Sequence, residues 1–141
     1  MDEIYQTHQH IDKSLYDFMK AKGWLKLNPA ISYGYADTNR PDSIQSMHRL
    51  VGFPIMSAIK DVVDGIQCVN GFFKKKKLFI HRDNVPNMLR ELESYSWKSK
   101  PGKVFDEPIK ENDHNCDALR YCLFTRERSR VRMVNTNPFR R

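Results

Sequence analysis

Short apolar runs of strand character alternate with longer segments of helical apolar spacing along almost the whole chain. Ile31 to Ala36 and Phe53 to Ala58 read as short buried strands. Lys77 to His81, centred on Leu78, Phe79 and Ile80, reads as another. Between them lie helical stripes: Ile11, Leu15, Phe18 and Met19; then Ile44, Met47 and Leu50 or Val51; then Val62, Ile66, Val69 and Phe73; then Leu89, Leu92 and Tyr95. That alternation predicts an α/β layer structure with a largely parallel sheet.

Punctuation residues set the expected boundaries. Residues 1–6 read as the end of a strand, and Thr7 can cap the first helix, which Gly23 ends. Asn28-Pro29 is a break. Pro41 suits the first turn of the second helix and Gly52 stops it. Pro54 puts the second strand at an edge. Asn84 and Pro86 open the fourth helix, and Ser96 to Pro108 reads as a hairpin or loop turning at Pro101-Gly102. The last helix is expected from about Asn112 to Thr125. Residues 1–125 then form one domain, and residues 126–141 a basic C-terminal tail.

The run Asn112-Asp113-His114-Asn115-Cys116-Asp117-Ala118-Leu119-Arg120-Tyr121 holds three potential metal ligands. On a helix, His114 and Asp117 share a face, and so do Asp113 and Asp117. Two carboxylates at that spacing repel each other, and a bound cation offsets the repulsion most directly. A plainer reading stands beside it. Asn112 can act as N-cap, Asp113 sits well in a first turn, and Asp117 can pair with Arg120. Asp37 closes the first strand, and sites in such sheets form at the carboxyl ends of strands.

A net charge of +7 suits a polyanionic partner, most simply nucleic acid. The charge is clustered: Lys74 to Lys77 is unbroken, Lys98, Lys100 and Lys103 flank Pro101-Gly102, and six arginines lie between Arg126 and Arg141. Cys68, Cys116 and Cys122 form no CxxC pair, which argues against a disulfide framework and for a reducing compartment. No apolar run approaches a membrane span, and the N-terminus has no signal-peptide pattern. His8 and His10 lack the spacing and the partners of a zinc site. Trp24 and Trp97 are expected at the edge of the core. No phosphate-binding glycine loop and no paired acyl-transfer nucleophile is present.

An ordered series of motifs carries a family resemblance. It runs through Tyr35-Ala36-Asp37, Pro41-Asp42-Ser43-Ile44, Gly52, Ile59-Lys60, Gly65-Ile66, Leu78-Phe79-Ile80-His81 and Glu91-Leu92 to Tyr95-Ser96-Trp97. It ends in Pro108-Ile109-Lys110, Asn112-Asp113-His114 and Asp117-Ala118-Leu119-Arg120-Tyr121. In this the chain resembles the C-terminal nuclease domain of the large terminase subunit of tailed phages and prophages, the motors that package and cut viral DNA. The last block is the most specific.

The resemblance implies a ribonuclease H-like mixed sheet flanked by helices. It implies Asp37, His114 and Asp117 as catalytic and metal-binding residues, with Asp113 as an adjacent ligand, around Mg2+ or Mn2+. The histidine leans that choice toward Mn2+. Lys60, Lys98, Lys100 and Lys103 are the implied DNA contacts. The substrate would be concatemeric double-stranded DNA. Partners would be a separate N-terminal ATPase part, the small terminase subunit and the portal, in the cytoplasm of a bacterial host. In one respect the chain departs from the pattern. The first strands, with an essential aspartate, and the ATPase domain are expected upstream of Met1. A fragment of weak activity is therefore expected. The alternative is a non-catalytic basic remnant that binds nucleic acid by charge.

Overall fold

A computed structural model describes residues 11–25, 31, 33–37 and 40–135; for 11–15 and 131–135 the description is of the backbone alone. The expected strand over 1–6, the Thr7 cap, His8 and His10, and the Asn28-Pro29 break lie outside those residues. The chain divides into two compact units, Asp2–Ala58 and Ile59–Arg141.

The first unit holds α1 (Ile11–Ala21), β1 (Gly34–Ala36), α2 (Pro41–Val51) and β2 (Ile55–Ser57). Gly23 ends α1 at φ 66, a left-handed conformation that costs glycine little. Its N–H donates to the Lys20 carbonyl, and the Trp24 N–H donates to the Met19 carbonyl. This is the paired closure of a Schellman motif. It brings the Trp24 ring edge-on to Phe18, with centroids 5.8 Å apart. Pro41 begins α2 and Gly52 closes it at φ 82, as the sequence implies. Strands β1 and β2 pair in parallel, Tyr35 opposite Met56, so the parallel relationship holds for this pair. Gly34 admits the Ile55 side chain: a Cβ there would collide with Ile55 Cδ1.

The second unit holds α3 (Val62–Lys74), α4 (Pro86–Ser94), β3 (Trp97–Lys100), β4 (Lys103–Pro108) and α5 (His114–Asn135). Val69 of α3, Met88 of α4 and Leu119 and Leu123 of α5 form its core with Val85. Phe72, Phe73, Leu78, Ile80 and Leu92 pack around them. Val85 is fully buried immediately before Pro86, which starts α4. Strands β3 and β4 form an antiparallel hairpin through Pro101-Gly102, with Gly102 at φ 78.

The structure corrects three expectations. Lys77 to His81 forms no strand. Leu78 and Ile80 turn inward while Phe79 is 78% exposed, so the alternation of a strand is present without a paired neighbour among the described residues. The described strands form two separate two-stranded sheets rather than one mixed sheet. The last helix starts at His114 and runs ten residues past Thr125, across the expected start of the basic tail at 126, to Asn135. Ion pairs support that extension: Arg130 meets Glu127 at 3.3 Å, and Arg128 meets Asp64 of α3 at 2.8 Å.

Candidate functional site at the start of helix α5

The first turn of α5 carries His114 and Asp117, and its backbone is fixed from outside the helix. Asp113, not Asn112, stands at the cap: its carbonyl accepts the Asp117 N–H at 2.8 Å. Asn112 precedes it in a left-handed conformation, φ 51. Two of the free N–H groups of the first turn are satisfied by Glu91 of α4. Glu91 Oε2 accepts from the Asn115 N–H at 2.6 Å and from the Cys116 N–H at 3.2 Å. Its Oε1 accepts from Asn115 Nδ2 at 2.8 Å. Glu91 is buried, as is Asp113, whereas His114 is exposed.

Asp117 is held by its own helix. Arg120 Nη2 donates to Asp117 Oδ1 at 2.6 Å, and the Tyr121 hydroxyl donates to Oδ2 at 3.3 Å. The plainer reading of the Asp117–Arg120 spacing is therefore realised. The Arg120 guanidinium is anchored in turn by the carbonyls of Lys60 and Asp61, 3.0 and 3.1 Å from Nη1. Ile59 completes the attachment of this segment, donating its N–H to Thr125 Oγ1 at 2.9 Å. Gly65 of α3 leaves room for the arginine stem: a Cβ there would lie 2.6 Å from Arg120 Cγ and 2.7 Å from Cδ.

These contacts set the local electrostatics. Burial pulls the Arg120 guanidinium down, but the hydrogen bond and charge of Asp117 outweigh it and leave the group above its usual range. Burial, reinforced by Asp117 and Asp113, pushes Tyr95 up to about 12. Burial also pushes the Cys116 thiol up to about 12, helped by Glu91, Asp113 and Asp117. Three carboxylates thus act on one buried thiol, while at Tyr95 the charge of Arg120 partly offsets that of Asp117 and Asp113.

The predicted site residues are distributed as follows. Asp37 follows β1 directly and is exposed, in the first unit. Asp113, His114 and Asp117 adjoin one another around the first turn of α5. Lys60 has an exposed side chain, while its carbonyl binds Arg120. Lys98 pairs with Glu107 at 2.5 Å across the hairpin, and Lys103 lies over the Phe105 ring, 4.9 Å from its centroid. Lys100 is exposed beside the turn. Trp97 is 38% exposed rather than packed at the core edge. Among the described residues, no three His, Cys, Asp or Glu side chains form a group able to hold a metal ion.

In type, however, the α5 donors suit a hard divalent cation. A carboxylate has about four lone-pair sites. Asp117 uses two of them here, and a quarter of its side chain remains exposed. His114 presents a solvent-facing imidazole.

Sequence reasoning did not assign a role to Glu91, Gly65 or Arg120 beyond the last residue's pairing with Asp117. For Glu91 a signal exists. It lies three residues after Met88 and four before Tyr95, a charge on the buried face of an amphipathic helix.

Comparison with known proteins now bears on this geometry. No family model matches the chain. The large terminase of a thermophilic bacteriophage, solved with ATP-γ-S, superposes with a TM-score of 0.64 at 31% identity, over 83% of this chain and 29% of that one. A further structure of the same terminase, in the same crystal form, gives 0.62 at 29% identity. The terminase large subunit of Escherichia phage T5 is 29% identical over 87 residues, which is 59% of this chain and 19% of that protein. This chain is a homologue of part of the phage terminase large subunit. It spans less than a third of the length of the terminases it matches. The terminase match covers most of the mixed α/β structure described above. No helix among the described residues is long and apolar enough to cross a membrane.

Proposed function

We propose that this chain is the nuclease portion of a terminase large subunit, ribonuclease H-like in plan, that cuts concatemeric double-stranded DNA. The observation that carries the reading is Asp117, held between Arg120 and Tyr121 in the first turn of α5 beside an exposed His114. A terminase homologue with a basic chain and a fixed acid–imidazole turn is equipped for phosphodiester chemistry. Asp113, His114, Asp117 and Asp37 are the proposed ligands for Mg2+ or Mn2+. When bound, such ions supply an activated water and stabilise the leaving oxygen.

The chain's own residues do the positioning. Arg120 fixes the direction of the Asp117 carboxylate and reduces its repulsion toward Asp113 and Glu91. Lys98, Lys100 and Lys103 present charge along an exposed hairpin that can follow a phosphate backbone. Lys60 adds a cation at the start of the α3 segment. The ATPase portion of a terminase, its small subunit and the portal are the proposed partners in packaging, in the cytoplasm of an infected or lysogenic bacterium.

The test is nicking of supercoiled plasmid by the purified chain in Mn2+ or Mg2+, with a chelator control and with His114→Ala. Metal-dependent nicking reduced in the variant is expected. Nicking that persists in chelator, or is unchanged in His114→Ala, contradicts the assignment. Retained DNA binding without any nicking would leave the charge-only remnant as the better account.

A further inference from the structure

The β3–β4 hairpin sorts its side chains onto two faces. Alternate residues of a strand share a face, so Lys103, Phe105 and Glu107 of β4 lie together. Lys98 of β3 is on their side, because its ammonium meets Glu107 at 2.5 Å. Lys100 is there too, standing opposite Lys103 in the register. Lys98, Lys100, Phe105, Glu107 and Ile109 line an open groove of about 450 Å³. Clefts that take ligands of nucleotide size run from about 300 to 1,000 Å³.

We propose that this groove takes an unpaired nucleobase, stacked on Phe105, with its flanking phosphates on Lys100 and Lys103. The inference rests on the proposed function for its partner, DNA. Three lysines on one face suit a polyanion, but they leave the apolar part of the groove without a use. An intact duplex presents phosphates and base edges, and its base faces are closed by their neighbours. The half-buried Phe105 ring and Ile109, 43% exposed, therefore have little to meet on a duplex. An unpaired strand offers a charged backbone and open base faces together. Cations beside an aromatic ring bind such strands without reading their sequence, because every base has a π-face.

The contacts now in the groove can give way. Lys103 lies over the Phe105 ring, 4.9 Å from its centroid, and an exposed contact of that kind is weaker than a base stack. A base can displace the ammonium, and the freed charge stays beside the adjoining phosphate. Glu107 is the carboxylate among the lining residues. It disfavours phosphate at its own end, which puts the backbone toward the turn, past Lys100 and Lys103.

The test measures binding of the full chain to three labelled probes by fluorescence anisotropy at one salt concentration. They are a short oligothymidine, an abasic strand of the same length and a blunt duplex. The wild-type chain is expected to hold oligothymidine about tenfold more tightly than the abasic strand, the worth of one stacked base. Phe105→Ala should abolish that difference and leave affinity for the abasic strand and the duplex unchanged. Phe105→Trp, with its larger ring, should keep it.

Should Phe105→Ala fail to fold, Phe105→Leu decides, since leucine fills the space without a π-face. Loss of the preference for oligothymidine in Phe105→Leu supports the stack, and an undiminished preference overturns it. Equal affinity of the wild-type chain for oligothymidine and the abasic strand overturns this inference alone when metal-dependent nicking persists. Base-dependent binding by a chain that does not nick contradicts the nuclease reading and leaves the stack standing. Binding to none of the three probes removes DNA as the partner, and both readings with it.

Discussion

Arg120 binds Asp117 at 2.6 Å from three residues further along the same helix, and the same guanidinium reaches the carbonyls of Lys60 and Asp61. One side chain therefore orients the candidate acid and fastens the segment leading into α3. Its Nε has no partner among the described residues, so its whole hydrogen-bonding contribution comes from the two terminal nitrogens. The side chain of Arg120 is 5% exposed and that of Asp117 25%, so the pair is screened by water on one side only.

Removing this cation leaves a partly buried carboxylate and two carbonyls without their donor. Arg120→Ala is expected to destabilise the chain by about 2–4 kcal/mol, the usual cost of breaking such a pair from one side. Arg120→Lys should recover little, because an ammonium lacks the planar fork that serves three acceptors at once. Urea denaturation of both variants checks this. A loss under 1 kcal/mol (about the worth of a surface pair) contradicts it.

Gly65 offers a second check on the same packing. Alanine in a helix interior gains about 1 kcal/mol over glycine. The Cβ, however, would press on Arg120 Cγ and Cδ, whose head group is locked and whose stem cannot swing away. Overpacking costs about 1–3 kcal/mol and should win. Gly65→Ala is thus expected to destabilise the wild-type chain and to stabilise the Arg120→Ala chain. A double-mutant cycle by denaturation reads the change of sign, and equal effects in both backgrounds would refute the contact.

The helices were largely legible from the sequence because their boundaries rest on local chemistry. Pro41, Gly52 and Pro86 fix φ or supply a left-handed turn where the chain needs one, and no distant partner is required. The hairpin at Pro101-Gly102 is local in the same way. What escaped depends on tertiary contact. Leu78 to Ile80 has strand alternation, but a strand exists only by pairing. The later turns of α5 lack an apolar stripe, and their support comes from Glu127 within the helix and Asp64 across from it. Within the site, the Asp117–Arg120 pair could be read from helical spacing. The role of Glu91 could not, because the amides it serves lie more than twenty residues away.

Cys116 should behave as a hidden thiol. It is buried and pushed up to about 12 from 9.0, first by burial and then by Glu91, Asp113 and Asp117. Iodoacetamide at mildly alkaline pH should leave it unmodified in the folded chain and modify it once the chain is unfolded. Peptide mass spectrometry distinguishes it from Cys68 and Cys122. The sign of the linked pH effect is fixed. Between 9 and about 12 the folded state keeps a proton on Cys116 that the unfolded state has lost. Stability therefore falls as pH rises through that window. Tyr95 acts in the same direction between 10.0 and about 12. Tyr95→Phe should flatten the alkaline decline in denaturation experiments, and an unchanged slope would count against its burial.

The hairpin lysines should govern affinity for DNA without governing sequence preference. Lys98 is already paired with exposed Glu107, a contact of little energetic weight that a phosphate can replace. Replacing Lys98, Lys100 and Lys103 together by alanine is expected to weaken duplex binding and to reduce the salt slope by up to about 3, if each lysine meets one phosphate. Fluorescence anisotropy across a salt series measures both. An unaltered slope would place the DNA surface elsewhere.

The most direct measurement compares nicking of supercoiled plasmid in Mn2+ by the wild-type chain, Asp117→Asn and Asp37→Asn, each shown to be folded by circular dichroism. Metal-dependent nicking by the wild type that disappears in both variants is the expected result. Equal nicking by all three, or none by a folded wild-type chain, contradicts the assignment of these aspartates to a nuclease site.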